Sequence, residues 1–128
     1  MKAPHAISWD WNKVFLRQPL LTSCDVVMVN MQPFRGPNMD VGTAYEVGYA
    51  DALGLPVFAY STDQTAYASR VPQPSRNYIE ADGWTVEDFG LKDNLMMIGA
   101  AGLTPDQPVY PSWQDTVLAI EKWACANG

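Results

Sequence analysis

The sequence has few residues that bind metals. Among 128 residues there are one histidine, His5, and two cysteines, Cys24 and Cys125. The cysteines lie far apart and form no CxxC pattern, which argues against a zinc site and against a Cys–His nucleophile pair. We therefore expect no metal and no cofactor, and we interpret both cysteines as reduced packing residues.

Positive charge is also scarce. Eight Lys and Arg residues stand against fourteen Asp and Glu residues, the net charge is −6, and the basic residues form no cluster. Binding to the backbone of DNA or RNA requires a basic surface. We therefore expect no nucleic acid partner, whereas a free nucleoside is compatible with this charge because it carries no phosphate.

Long hydrophobic runs are missing as well. No apolar stretch approaches ~18 residues, and the N-terminus has no apolar segment typical of a signal peptide. We expect no membrane association and a cytoplasmic location. With 48% hydrophobic and 17% charged residues the composition is that of a globular protein, and the length predicts a single domain over residues 1–128.

The centre of the chain has the pattern of a βαβ unit. Residues 25–30 (DVVMVN) and 56–60 (PVFAY) predict two buried strands. Between them, Asp40 is a good N-cap for a helix that begins near Val41 and stops at Gly54. A strand, helix and strand over this length predict parallel strands joined by a right-handed crossover.

The flanking segments give weaker patterns. Two confident strands are few for a doubly wound sheet, so we expect a third strand in the hairpin region or a sheet completed across an oligomer interface. The other predicted elements are a helix over 10–22, a partly irregular surface segment over 61–77 and a hairpin over 78–89 around Asp82-Gly83. An apolar helix within 91–102 and a linker over 103–111 follow. The last predicted element is a helix over 112–126, capped by Ser112, with four apolar residues on or near its inner face: Val117, Leu118, Ile120 and Trp123.

Glu46 is the unusual residue of the central helix. Its neighbours are mostly Gly, Ala, Thr, Val and Tyr. A helix with so few charges is usually packed on several sides, and a carboxylate there must be hydrogen-bonded, neutral or functional. Without a wider motif, a solvated glutamate would be the more common interpretation.

That wider motif exists. In order, the chain contains PFRGP at 33–37, DVGTAYEVGYA at 40–50, ALGLPV at 52–57, VEDFG at 86–90 and DNLM at 93–96. These blocks resemble the nucleoside 2-deoxyribosyltransferase family over roughly residues 10–98. The resemblance implies an α/β fold, a flavodoxin-like three-layer sandwich with a small parallel sheet. Family members usually begin with a strand of the type I-Y-L-A-G-P, and no such run precedes residue 10, so we expect the usual first strand to be lacking.

The resemblance implies a ping-pong transfer of 2-deoxyribose between nucleobases. Glu46 would attack C1′ of the deoxynucleoside and form a glycosyl ester, while Asp40 would position the sugar and the nucleophile. Gly42 is small and leaves space above Glu46 for a sugar ring. Asn94 would bind the sugar hydroxyl side, and the block containing Met96 would reach a neighbouring subunit's site. We therefore expect a homo-oligomer, a dimer or higher, with a shared site and a nucleoside or nucleobase as small-molecule partner.

Each assignment has an alternative. Asp40 is equally well explained as an N-cap alone, Asn94 as the cap of the next helix, and Met96 as a core residue. The place of the family's base-contacting carboxylate falls near Arg17 or Gln18. The alternatives for function are hydrolysis of the N-glycosidic bond and a non-catalytic nucleoside- or nucleotide-binding module with a degenerate active site.

Overall fold

The computed structural model describes residues 21–71, 86, 88–100, 102 and 108–127. The predicted hairpin turn at Asp82-Gly83 lies outside these residues, and of the predicted helix over 10–22 only Leu21 and Thr22 lie within them, both helical. A short helix occurs in the segment 61–77, which was predicted to be partly irregular. The elements are β1 (Val27–Asn30), α1 (Val41–Ala52), β2 (Val57–Tyr60), α2 (Tyr67–Arg70), α3 (Leu95–Ala100) and α4 (Trp113–Asn127).

The two strands are parallel, as the βαβ pattern predicts. Val27 lies opposite Val57 and Asn30 lies opposite Tyr60, with α1 connecting the strands. Met31 donates its backbone N–H to the carbonyl of Tyr60 at 2.8 Å, which extends the pairing by one residue. The small parallel sheet expected from the sequence is therefore confirmed.

The sheet continues on the other side of β2 at Tyr110. Tyr60 and Tyr110 form a parallel bridge, in which the N–H of Tyr110 donates to the carbonyl of Ala59 at 2.8 Å. The prediction of a linker over 103–111 is wrong at this position. Pro108 and Pro111 flank the paired residue. Since proline has no N–H to donate, they restrict this pairing to a very short segment.

Both ends of α1 follow the capping rules. The Asp40 side chain accepts a hydrogen bond from the N–H of Thr43 at 2.9 Å, so Asp40 is the N-cap. At the other end, Leu53 is the C-cap and Gly54 has a φ of 70°. That left-handed conformation suits glycine, and it ends the helix at the predicted place.

Helices cover both faces of the sheet. Val57 and Ala59 are buried in one cluster with Val47 and Ala50 of α1. Side chains alternate along a strand, so Phe58 lies on the opposite face. There its ring meets Trp123 of α4 edge-on, with 6.2 Å between ring centroids. The order of helix, sheet and helix is the predicted three-layer arrangement.

Two details of the packing differ from prediction. Ser112 caps α4 by accepting the N–H of Asp115 at 3.1 Å, as expected, but Leu118 is 55% exposed and is not buried against the sheet. The fully buried residue of α4 is Thr116, whose hydroxyl donates to the carbonyl of Ser112 at 2.9 Å. That bond lets a polar side chain occupy the buried position. In the described part of the chain, no helix combines the length and apolarity needed to cross a membrane.

The prediction that both cysteines are packing residues is wrong. Cys24 and Cys125 are both exposed, so neither is a packing residue. Cys24 lies between the helical residue Thr22 and β1, and Cys125 lies in the last turn of α4. Both positions are at the ends of elements, where the chain is open to solvent.

Candidate functional site

The candidate site lies where the chain leaves the carboxyl ends of the parallel strands. The segment after β1 runs over residues 31–39 and leads into the N-cap of α1, and the segment after β2 begins at Ser61. In open α/β sheets, ligands bind in the crevice outside these strand ends. The candidate residues Asp40, Gly42 and Glu46 follow directly on this loop.

Asp40 is held by the helix that it caps. Both of its hydrogen bonds to Thr43 use the same oxygen, Oδ2, at 2.9 Å from the N–H and 3.3 Å from the hydroxyl. The N-cap interpretation is thus confirmed, and the role of Asp40 in positioning a sugar stays a prediction. Because Oδ1 takes no part in these two bonds, the cap leaves an acceptor available on the same carboxylate.

Glu46 lies in the second turn of α1 and is half-buried. Six residues of helix place its Cα about 9 Å along the axis from that of Asp40. Helical side chains lean toward the N-terminus, so a residue at position 46 shares a face of the helix with the turn that contains Gly42 and Thr43. Gly42, four residues earlier, contributes no side chain that would fill this space.

Asn94 is the N-cap of α3, which confirms its alternative interpretation. Its Oδ1 accepts the N–H of Met96 at 2.9 Å, and its carbonyl accepts the N–H groups of Met97 and Ile98. The contact of Asn94 with a sugar hydroxyl stays a prediction, because the helix cap does not bear on it. Met96 is 72% exposed, so the alternative that makes it a core residue is wrong.

Asp93 connects the segment before Asp40 to the start of α3. Sequence reasoning assigned it no role. It is 2% exposed, and its carboxylate accepts hydrogen bonds from the side chain of Asn38 (3.0 Å), the N–H of Met39 (2.8 Å) and the N–H of Asn94 (2.7 Å). The segment before Asp40 is thereby tied to the residue that caps α3. A carboxylate next to an apolar helix was the signal available in the sequence, since it needs partners once buried.

Arg70 forms hydrogen bonds to the three segments that surround the candidate site. Its guanidinium donates to the carbonyls of Pro37 at 2.9 Å and Thr65 at 2.8 Å, and to that of Lys92. Lys92 in turn donates through Nζ to the carbonyl of Gln64. The segments after β1, after β2 and before α3 are therefore linked. No motif singled out Arg70, because it lies in a stretch without regular periodicity.

A separate open groove lies between β2 and α4. Phe58, Tyr110, Leu118 and Trp123 form its apolar lining. Phe58 points to the face of the sheet opposite α1, so this groove is not the candidate site. Within the described residues, no group of three or more His, Cys, Asp or Glu side chains is arranged to hold a metal ion.

The fold is that of a flavodoxin-like α/β protein, and the candidate site lies at the carboxyl ends of its parallel strands. The family model for nucleoside 2-deoxyribosyltransferase matches residues 10–96, and the chain belongs to that family. The flavodoxin-like fold and the family expected from the sequence are both confirmed.

Two relatives show how far the similarity extends. The structure of a 2-desoxiribosyltransferase from Leishmania mexicana superposes with a TM-score of 0.70 at 30% identity, over 91% of this chain and 68% of that one. An uncharacterized protein of Schizosaccharomyces pombe is 31% identical over 102 residues, 66% of this chain and 48% of its own length. The chain thus spans about half the length of this curated relative.

Proposed function

We propose that this protein transfers 2-deoxyribose between nucleobases through a covalent glycosyl intermediate on Glu46. The observation that carries the proposal is the N-terminal half of α1. There Thr43 holds Asp40 at the N-cap, Gly42 adds no side chain beside that carboxylate, and the half-buried Glu46 lies one turn beyond Gly42 on the same face of the helix. Membership of the deoxyribosyltransferase family supports this chemical role for the three residues.

The reaction takes two displacements at C1′. In the first, a carboxylate oxygen of Glu46 bonds to C1′ while the C1′–N bond breaks, and the base leaves with the electron pair of that bond and takes up a proton from water. In the second, a nitrogen of another base bonds to C1′ and gives up its proton to water, while the bond from C1′ to Glu46 breaks and releases the carboxylate. Positive charge develops on the sugar in both steps, and nearby carboxylates stabilise it. Asp40 supplies the second negative charge at the N-terminus of α1.

Asp40 and Asn94 are the proposed contacts to the sugar. Both hydrogen bonds from Thr43 go to Oδ2 of Asp40, which leaves Oδ1 as the proposed acceptor for a sugar hydroxyl. Asn94 lies at the exposed start of α3, and Asp93 links it to the same loop. The proposed substrates are a deoxynucleoside and a free nucleobase, and no cofactor takes part.

The exposure of Met96 and its apolar neighbours supports a shared site in a homo-oligomer. Phe89 (63%), Leu95 (47%) and Met96 (72%) are large apolar side chains exposed around the start of α3. Such residues in one region are typical of an interaction surface. We propose that residues 1–128 form one domain that assembles as a dimer or higher and places Met96 at a neighbour's site. Light scattering tests this proposal, and a monodisperse monomer would contradict it.

The base-exchange assay tests the function directly. Wild-type protein is incubated with a deoxynucleoside and a second free base, and the new nucleoside is separated by chromatography. Exchange is expected with wild-type protein and with Glu121→Gln, a control that removes an exposed carboxylate of α4. Glu46→Ala is expected to abolish it. A 2-fluoro-deoxynucleoside should trap a covalent adduct on Glu46, detected by mass spectrometry; wild-type protein showing neither exchange nor adduct would refute the proposal.

Two other outcomes have distinct signatures. Free deoxyribose without exchange would show hydrolysis, with water in place of the second base. A binding module is favoured by one observation: Asp40 and Asn94 both have complete structural roles as helix caps. It would give a thermal shift with nucleosides but no chemistry.

A further inference from the structure

Asp93 is the most deeply buried carboxylate in the described part of the chain, and the proposed reaction does not use it. Its two oxygens accept three hydrogen bonds, from Asn38, Met39 and Asn94. We call these four residues the Asp93 clamp. The clamp joins positions 54 and 55 residues apart in the sequence.

The clamp acts on residues that adjoin the site. Met39 is bonded through one peptide to Asp40, and Asn94 follows Asp93 directly. The two oxygens of Asp93 bind different donors: Oδ2 accepts from Met39, and Oδ1 accepts from both Asn38 and Asn94. The orientation of one carboxylate therefore fixes how the N-cap of α1 lies relative to the N-cap of α3.

We propose that Asp93 is a positioning residue, which holds both the segment before Asp40 and the start of α3 in the places that reaction at the sugar requires. The part of this inference that concerns catalysis rests on the proposed function. Hydrogen bonds to an ionised acceptor are the strong ones in proteins, and those inside the fold are not weakened by water. A misplacement of about 1 Å lowers a rate by about 10²-fold, so a loosened clamp slows the reaction even when the fold survives.

The variant Asp93→Asn tests this role. An amide places an N–H₂ group where one of the three donors needs an acceptor, so at least one clamp bond is lost. We expect kcat for base exchange to fall about 10- to 100-fold with a smaller change in KM. The backbone amides of Met39 and Asn94 should exchange with deuterium faster than in wild-type protein. Asn38→Ala removes a single clamp bond and provides a milder variant if Asp93→Asn does not fold.

Two further variants separate positioning from stability. Ile98→Val removes a methyl group from a buried residue of the same helix, α3, without touching the clamp. It should lower Tm and leave kcat unchanged. The double variant Asn38→Asp/Asp93→Asn exchanges the amide and the carboxylate, so that a donor again faces an acceptor. It should recover about tenfold of the lost kcat.

The possible results show separately whether the clamp exists, whether it positions the site and whether the proposed function is correct. Faster exchange at Met39 and Asn94 with wild-type kcat would overturn the positioning role. Unchanged exchange at both amides in Asp93→Asn would overturn the clamp itself. If wild-type protein exchanges no bases, the proposed function fails, and amide exchange alone then decides whether the clamp holds these segments.

Discussion

Gly42 and Asp40 lie so close together that a side chain at position 42 would crowd the Asp40 carboxylate. A Cβ added at Gly42 would lie 3.0 Å from Oδ2 of Asp40, a distance shorter than most contacts that Cβ atoms make. The carboxylate has little freedom to move away because Thr43 holds the same oxygen from two sides. The glycine thus preserves the position of the Asp40 carboxylate.

Gly42→Ala should therefore separate activity from stability. Alanine stabilises a helix interior by about 1 kcal/mol relative to glycine, so Tm should not fall. The displaced carboxylate should lower kcat for base exchange by about tenfold. Gly48→Ala is the matched control, because it lies in the same helix with no atom within 4 Å of the added Cβ. It should raise Tm and retain full activity; equal activity of the two variants would contradict the role given to Gly42.

Asp40→Asn should show whether the charge of Asp40 is used. Asparagine is as good an N-cap as aspartate and can accept from Thr43, so the free energy of unfolding should change by less than about 0.5 kcal/mol. Asp40→Ala should lower it by about 1 kcal/mol through loss of the cap. If the carboxylate contributes charge at the sugar, both variants lose kcat to a similar extent. Full activity of Asp40→Asn would leave Asp40 with the capping role only.

The features that sequence reasoning predicted correctly are determined by nearby residues. The N-cap at Asp40, the left-handed Gly54 and the cap at Ser112 each depend on hydrogen bonds or backbone preferences within a few positions. Hydrophobic runs likewise predicted β1 and β2, because both strands are buried between other elements. Family blocks added the candidate positions Glu46 and Asn94, which local rules alone would have treated as ordinary residues.

The features that were missed depend on distant partners. Asp93 bonds to Asn38 across 55 residues, and Arg70 bonds to Pro37 across 33 residues. No local pattern indicates such pairs, since the partners meet only after the strands have aligned. The pairing of Tyr110 was missed for a related reason, because a single paired residue between prolines has no strand periodicity.

Asp63 should make the turn after β2 sensitive to acid. The hydroxyl and the backbone N–H of Thr65 both donate to its carboxylate and lower the pKa of Asp63 below its ordinary value. This stabilisation is present above the pKa of the unfolded chain and is lost as the pH falls through the lower pKa of the folded state. The Thr65 amide resonance should follow that titration by NMR. In Asp63→Asn the shift should be absent; a Thr65 titration that persists there would assign it to another group.

Arg70→Lys should weaken the brace around the site loops. The Arg70 guanidinium reaches carbonyls on three separate segments, at Pro37, Thr65 and Lys92, whereas a lysine ammonium is a single point and cannot span them. Carbonyls left without a partner should reduce the free energy of unfolding by about 1–3 kcal/mol. Urea unfolding should show a lower midpoint with an unchanged slope.

The control for this prediction is Arg35→Lys. Arg35 is exposed, and the only interaction that its guanidinium makes within the described residues is with the ring of Phe34, at 5.1 Å from the centroid. An exposed contact of this kind contributes about 0.5–1 kcal/mol at most, and lysine retains part of it. The loss in Arg70→Lys should therefore exceed that in Arg35→Lys. Equal losses would mean that a guanidinium at position 70 holds the loops no better than an ammonium, and that the geometry of the three carbonyls contributes nothing to stability.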